Sequence, residues 1–73
     1  MSKTKSPRLF DLVQLIDELP SEFLQKGAIG TVVAVFDCPR EAYEVEFIRA
    51  DGTTLVQLAL RPETFRLLDA EHR

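Results

Sequence analysis

Apolar and acidic residues alternate strictly along one short segment, Tyr43-Glu44-Val45-Glu46-Phe47. In an extended strand successive side chains point to opposite faces, so the three apolar residues share one face and the two glutamates share the other. The pattern predicts a half-buried β-strand with Tyr43, Val45 and Phe47 on the core.

The next segment predicts a hairpin. Ala50-Asp51-Gly52 contains an Asp-Gly pair, which suits the positive φ angles of tight hairpin turns. Residues 53–60 supply the returning strand. The same alternation divides this strand into a core face and an outer face: Val56, Leu58 and Leu60 inward, and Leu55, Gln57 and Ala59 outward.

Residues 31–36, Thr-Val-Val-Ala-Val-Phe, are nearly all β-branched or aromatic, which is typical of a strand buried on much of both faces. Gly27 and Gly30 precede this run. They predict a tight turn where a side chain would collide or φ must be positive. Pro39 cannot donate to a β-ladder, so the strand ends before it. We expect this to be the central strand.

The first strand is predicted at residues 10–16, where Val13 and Leu15 fall on one side and Leu12 and Ile16 on the other. Because both sides are apolar, the strand is expected to be covered twice or to bend across the fold.

Pro20 and Pro62 each begin a short connection between strands. Residues 20–26 predict a single helical turn and a loop that folds Phe23 or Leu24 over one end of the barrel. Residues 62–65 predict a second single turn that leads into a short closing strand at 66–68, and a C-terminal helix over 62–72 is the alternative.

Five short strands with these connections predict a mainly β fold, a small SH3-like five-stranded β-barrel with one or two single-turn helices. A chain of 73 residues has room for one domain. We assign residues 1–8 to a disordered leader, 9–68 to the barrel and 69–73 to a disordered tail.

The order of these blocks resembles a bacterial domain-of-unknown-function family, number 4926, over roughly residues 9–68. The blocks that carry the resemblance are Gly30-Thr31-Val32-Val33 and Tyr43-Glu44-Val45-Glu46-Phe47, in that order. The resemblance implies an SH3-like barrel and brings no activity and no catalytic residues.

The spacing Gly27-x-x-Gly30-x-Val32 followed by a hairpin is similar to KOW-type barrels, which implies RNA or polymerase contact. Glu41, Glu44 and Glu46 stand where an RNA-facing surface needs cations, and the net charge is −3. We therefore expect no nucleic-acid partner and keep an RNA- or ribosome-associated role as a second alternative.

The inventory for catalysis and metal binding is small. The single cysteine, Cys38, has no base in prospect because the single histidine, His72, lies in the tail. Glu44 and Glu46 fit a solvated strand face, and nothing has the spacing of a zinc or calcium site. We predict no enzyme, no catalytic residues, no metal and no cofactor or small-molecule substrate.

The chain has no apolar run long enough to span a bilayer, no apolar signal core and one cysteine, so we expect a cytoplasmic protein without membrane contact. The main hypothesis is a non-catalytic module that binds a partner protein or its own copy. The first alternative is an acidic antitoxin- or immunity-like regulator of a neighbouring protein.

A candidate interaction surface follows from the outer face of the returning strand. Leu55 and Ala59 are its outward apolar pair, and Leu12 or Ile16 on the first strand is expected to complete an apolar patch beside them.

Overall fold

Five strands and two single 3-10 turns follow one another along residues 6–68, the part of the chain that a computed structural model describes. Most of the predicted leader and all of the predicted tail at 69–73, with His72, lie outside the described residues. The turns are Pro20–Glu22 and Pro62–Thr64. The strands are β1 (Leu12–Leu15), β2 (Ile29–Phe36), β3 (Ala42–Ile48), β4 (Thr54–Leu60) and β5 (Phe65–Leu67).

All strands pair antiparallel in one sheet with the order β4-β3-β2-β1-β5. This order places β2 in the centre and carries β5 to the far side of β1, which confirms the mainly β, SH3-like prediction. Within the described residues the alternative C-terminal helix is wrong. The helix stops after Thr64 because Phe65 pairs with Leu15 in the sheet.

The alternating segment builds the core as predicted. Tyr43, Val45 and Phe47 on β3 are 2%, 0% and 2% exposed. Their removal from water supplies the main stabilising term of so small a fold. The other buried hydrophobic residues come from every remaining strand and from one loop: Val13, Leu15, Leu24, Val32, Leu60 and Phe65.

Burial on both faces, which was predicted for β2 and was one of two alternatives for β1, is not found in either strand. On β1, Val13 and Leu15 are buried, but Leu12 and Ile16 are both 44% exposed, so only one face of the strand is covered. On β2 the pairing with β3 shifts between Val32 and Ala34, and the end of the strand at Phe36 lies open to solvent. A β-bulge of this kind changes which face a side chain occupies.

The predicted turns are present. Gly52 has φ +91° in the β3–β4 hairpin, where its N–H donates to the carbonyl of Arg49 at 2.9 Å. Gly27 has φ +90° just before β2. The described residues contain no helix that is long and apolar enough to cross a membrane.

At Gly30 glycine is required by the lack of space and not by the backbone conformation, because its φ is not positive and other atoms surround it closely. An added Cβ would lie 2.6 Å from Cγ1 of Val45, 2.9 Å from Cε1 of Phe47 and 3.0 Å from the carbonyl oxygen of Glu46. Real Cβ atoms do not approach other heavy atoms this closely, so β2 and β3 could keep their spacing only with a glycine here.

We expect Gly30→Ala to destabilise the domain by about 1–3 kcal/mol, because the extra methyl group overpacks a closed core. Urea unfolding at matched conditions measures the difference. Gly52→Ala is the control, since a Cβ at Gly52 meets nothing within 4 Å and costs only backbone strain. A Gly30→Ala variant as stable as the parent would contradict the close-packing account.

Candidate interaction groove

An open groove of about 410 Å³ lies beside the start of the central strand. Four large apolar side chains on it face solvent: Phe23 is 87% exposed, Ile29 51%, Ile48 56% and Leu55 37%. We call this surface, defined by these four residues, the apolar groove. Scattered hydrophobic residues are ordinary on a protein surface, but several around one concavity are typical of an interaction site.

The sheet brings three of these residues together. Thr31 on β2 pairs with Glu46 on β3, and the same antiparallel register carried two residues further places Ile29 beside Ile48. The β3–β4 pairing shifts between Phe47 and Ile48, so Leu55 is an extra residue next to the Ile48 pair. Residues from three strands therefore meet at one end of the sheet.

The fourth residue, Phe23, is held by a small closed loop. The backbones of Leu19 and Leu24 exchange two hydrogen bonds of 2.8 and 3.1 Å, and Leu24 is buried as the anchor of the loop. Phe23 ends the first 3-10 turn with φ +60°, and its N–H donates to the carbonyl of Pro20. The sequence prediction that Phe23 or Leu24 covers the core is thus correct for Leu24, whereas Phe23 points to solvent.

The left-handed conformation of Phe23 costs free energy for a residue with a Cβ, roughly 1–2 kcal/mol. A side chain that is 87% exposed returns little of that cost through packing. Backbone strain at an exposed aromatic residue is one of the features that accompany functional sites.

A second pocket, of about 340 Å³, adjoins the apolar groove and shares Lys26 and Gly27 with it. Gln14 connects its two sides, since its Nε2 donates to the carbonyl of Gly27 at 3.1 Å and its Oε1 accepts from Arg66 at 2.8 and 3.1 Å. We call this site, lined by Gln14, Lys26 and Arg66 with Leu15 and Ile16, the basic pocket.

The charges of the basic pocket are not paired with acids. Among the described residues the only salt bridge joins Arg61 and Glu63, and no acidic side chain lines either the basic pocket or the apolar groove. In a chain with 12 acidic and 9 basic residues, this site is therefore an exception to the overall charge.

The acids of β3 are engaged elsewhere on the sheet. Gln57 donates to Glu44 at 3.3 Å, and Thr54 donates through its hydroxyl to Glu46 at 2.6 Å. Each glutamate thus accepts a hydrogen bond from a different residue of β4.

No group of three or more His, Cys, Asp or Glu side chains that could hold a metal ion occurs in residues 6–68. Cys38 is exposed in the loop between β2 and β3. Its thiol makes no hydrogen bond to another residue within 6–68.

The hydroxyl of Tyr43 donates a hydrogen bond to Glu41 and ties the β2–β3 loop to the core. The ring of Tyr43 packs edge-to-face on Phe65 with centroids 5.6 Å apart. Burial, followed by the hydrogen bond and the charge of Glu41, raises the pKa of Tyr43 to about 12.

The four residues predicted as an interaction surface do not form one patch on the sheet. Leu12, Ile16, Leu55 and Ala59 are exposed, but β2 and β3 lie between β1 and β4. In the sheet order two strands therefore separate Leu12 and Ile16 from the β4 pair. Leu55 lies on the apolar groove, and Ile16 lies on the basic pocket.

Sequence reasoning missed Phe23, Ile29 and Ile48 as surface residues of one site. Ile29 and Ile48 each fall just outside a run that was assigned to a strand, and only the strand register shows that they meet. A usable signal was present at Phe23-Leu24, because a loop of this length can bury one of two adjacent large apolar residues but rarely both.

One comparison with known proteins gives a match. The model of a family described as a domain of unknown function (DUF4926) matches residues 9–67. No curated protein and no solved structure is significantly similar to the chain.

We expect the phenol of Tyr43 to ionise near pH 12 instead of 10.0, and since it is the only tyrosine, its phenolate absorbance reports this directly. The unfolded chain loses this proton near pH 10.0 while the folded chain keeps it. The contribution of Tyr43 to stability is therefore complete below pH 10.0 and is lost as the pH rises toward 12. Glu41→Gln is the control variant. In it the pKa of Tyr43 should fall only part of the way from about 12 toward 10.0, because the burial of the hydroxyl remains. Ionisation near pH 10.0 in the parent would contradict the buried hydroxyl.

Proposed function

We propose that this chain, which belongs to the DUF4926 family of domains of unknown function, is a non-catalytic module that binds a partner protein or its own copy through the apolar groove. The observation that carries the proposal is Phe23, an aromatic side chain that is 87% exposed in a strained left-handed conformation beside Ile29, Ile48 and Leu55.

The energetics of the groove support binding. An aromatic anchor with aliphatic neighbours is the composition found at the centre of protein interfaces, where a few such residues carry most of the affinity. The Leu19–Leu24 closure and the strand register fix the backbone at these positions before a partner arrives, so little backbone entropy is lost on binding.

A binding role also agrees with the chemistry of the remaining surface. Among the described residues we find no nucleophile, base and orienting group that lie together. The two β3 glutamates accept hydrogen bonds from Thr54 and Gln57. The net charge of −3 disfavours an RNA-binding barrel, which needs a cationic face larger than the pair Lys26 and Arg66. As part of the proposal, the module acts in the bacterial cytoplasm, where a single exposed cysteine stays reduced.

The test replaces the aromatic anchor. We expect Phe23→Asn to weaken capture of the partner at least about fivefold, the effect of removing a contributing interface residue. Its folding stability should stay equal or rise by up to about 1 kcal/mol, because asparagine tolerates positive φ. Capture from a lysate of the source organism identifies the partner, and titration with the purified partner gives the affinity.

Phe10 provides a matched control. It is also exposed, at 74%, and also has positive φ, at +71°, but it does not line the apolar groove. Phe10→Asn should therefore change stability in the same way and leave partner affinity unchanged. Equal affinity of parent and Phe23→Asn for the purified partner would refute the groove as the binding surface. Sedimentation across concentration tests self-association with the same variants.

A further inference from the structure

We propose that the segment bound in the apolar groove carries an Asp or Glu side chain, next to its apolar anchor, that enters the basic pocket. This inference rests on the proposed function and adds the chemistry of the partner: an extended, acidic and apolar peptide segment of another protein.

The two sites form one continuous surface. Lys26 and Gly27 line both, so a segment whose apolar residue lies against Phe23 and Ile48 passes the Lys26 ammonium as it leaves the groove. The groove and the basic pocket share Lys26 and Gly27 as lining residues, so a residue close in sequence to an anchor in the groove reaches the basic pocket when the segment is extended.

Arg66 is oriented for such a ligand. Its Nε and Nη2 donate to Oε1 of Gln14, which fixes the guanidinium plane, and Gln14 is itself held by the Gly27 carbonyl. The remaining guanidinium nitrogen, Nη1, makes no hydrogen bond within residues 6–68. A guanidinium that is already fixed in this way loses little rotamer entropy when it donates hydrogen bonds to a carboxylate.

Charge complementarity selects the carboxylate. Among residues 6–68, Lys26 and Arg66 are the only charged side chains that line the two sites, and neither forms an ion pair within that range. Two cations that no acid within the described part of the chain neutralises attract a negative group and repel a basic segment. The surrounding sheet is acidic at Glu44 and Glu46, so an acidic segment is drawn to this end of the sheet and away from the rest.

Selection of a random peptide library displayed on phage against the full chain tests the chemistry without knowledge of the partner. We expect enrichment of peptides in which Asp or Glu lies one or two residues from a large apolar residue. For the best peptide, replacement of its acid by the corresponding amide should weaken binding about fivefold, the upper range for a solvent-exposed ion pair.

Charge reversal on the protein provides the second arm. Lys26→Glu and Arg66→Glu should each weaken the acidic peptide about fivefold and leave its amide version unaffected, whereas Arg66→Lys should keep the preference for acid. Arg40→Glu is the matched control, because Arg40 is exposed and lies outside both sites. High salt should reduce the difference between the acidic peptide and its amide version.

The outcomes separate the inference from the function on which it rests. Peptides that need Phe23 but show no acid preference, or keep that preference in Lys26→Glu and Arg66→Glu, overturn the inference alone. Self-association that depends on Phe23, without any enriched peptide, also overturns it, because the occupant is then a second copy. Peptide binding unchanged by Phe23→Asn, or no binding of either kind, overturns the proposed function as well.

Discussion

At Gly30 the ring of Phe47 and a methyl group of Val45 occupy the space where any other residue would carry its Cβ. This contact sets how closely β2 approaches β3, and therefore how the apolar face of β3 closes over the core. It also places Phe47 where its ring forms part of the groove wall. The packing that stabilises the fold thus shapes the site next to it.

Local patterns predicted those parts of the fold that depend on neighbouring residues in the chain. The alternation at Tyr43, Val45 and Phe47 gave the buried face of β3, and Asp51-Gly52 gave the hairpin turn. Strand order is set by contacts between distant segments, so the expectation that Leu12 lies beside the β4 pair had no local signal to correct it. The bulge near Val33 was hidden for the same reason, since a uniform β-branched run fits either face.

The candidate site depends on both kinds of information. Glycine at position 27 was visible in the sequence as a turn, and the turn brings Lys26 to the junction between the apolar groove and the basic pocket. Arg66 lies 52 residues from Gln14 in sequence, and only the β1–β5 pairing brings their side chains together. The net charge drew attention to Glu44 and Glu46 on β3, but these carboxylates accept hydrogen bonds from β4. Lys26 and Arg66, which pair with no acid within residues 6–68, lie at the basic pocket instead.

A domain of this size has a stability margin of a few kcal/mol, so a strained residue at the surface uses a substantial part of it. Phe10 and Phe23 both combine positive φ with a highly exposed side chain. They differ in their surroundings, since only Phe23 lines a groove with other apolar residues and a cationic end. Strain alone therefore does not single out Phe23; the proposal that Phe23 is an anchor rests on the apolar side chains of Ile29, Ile48 and Leu55 beside it in the groove.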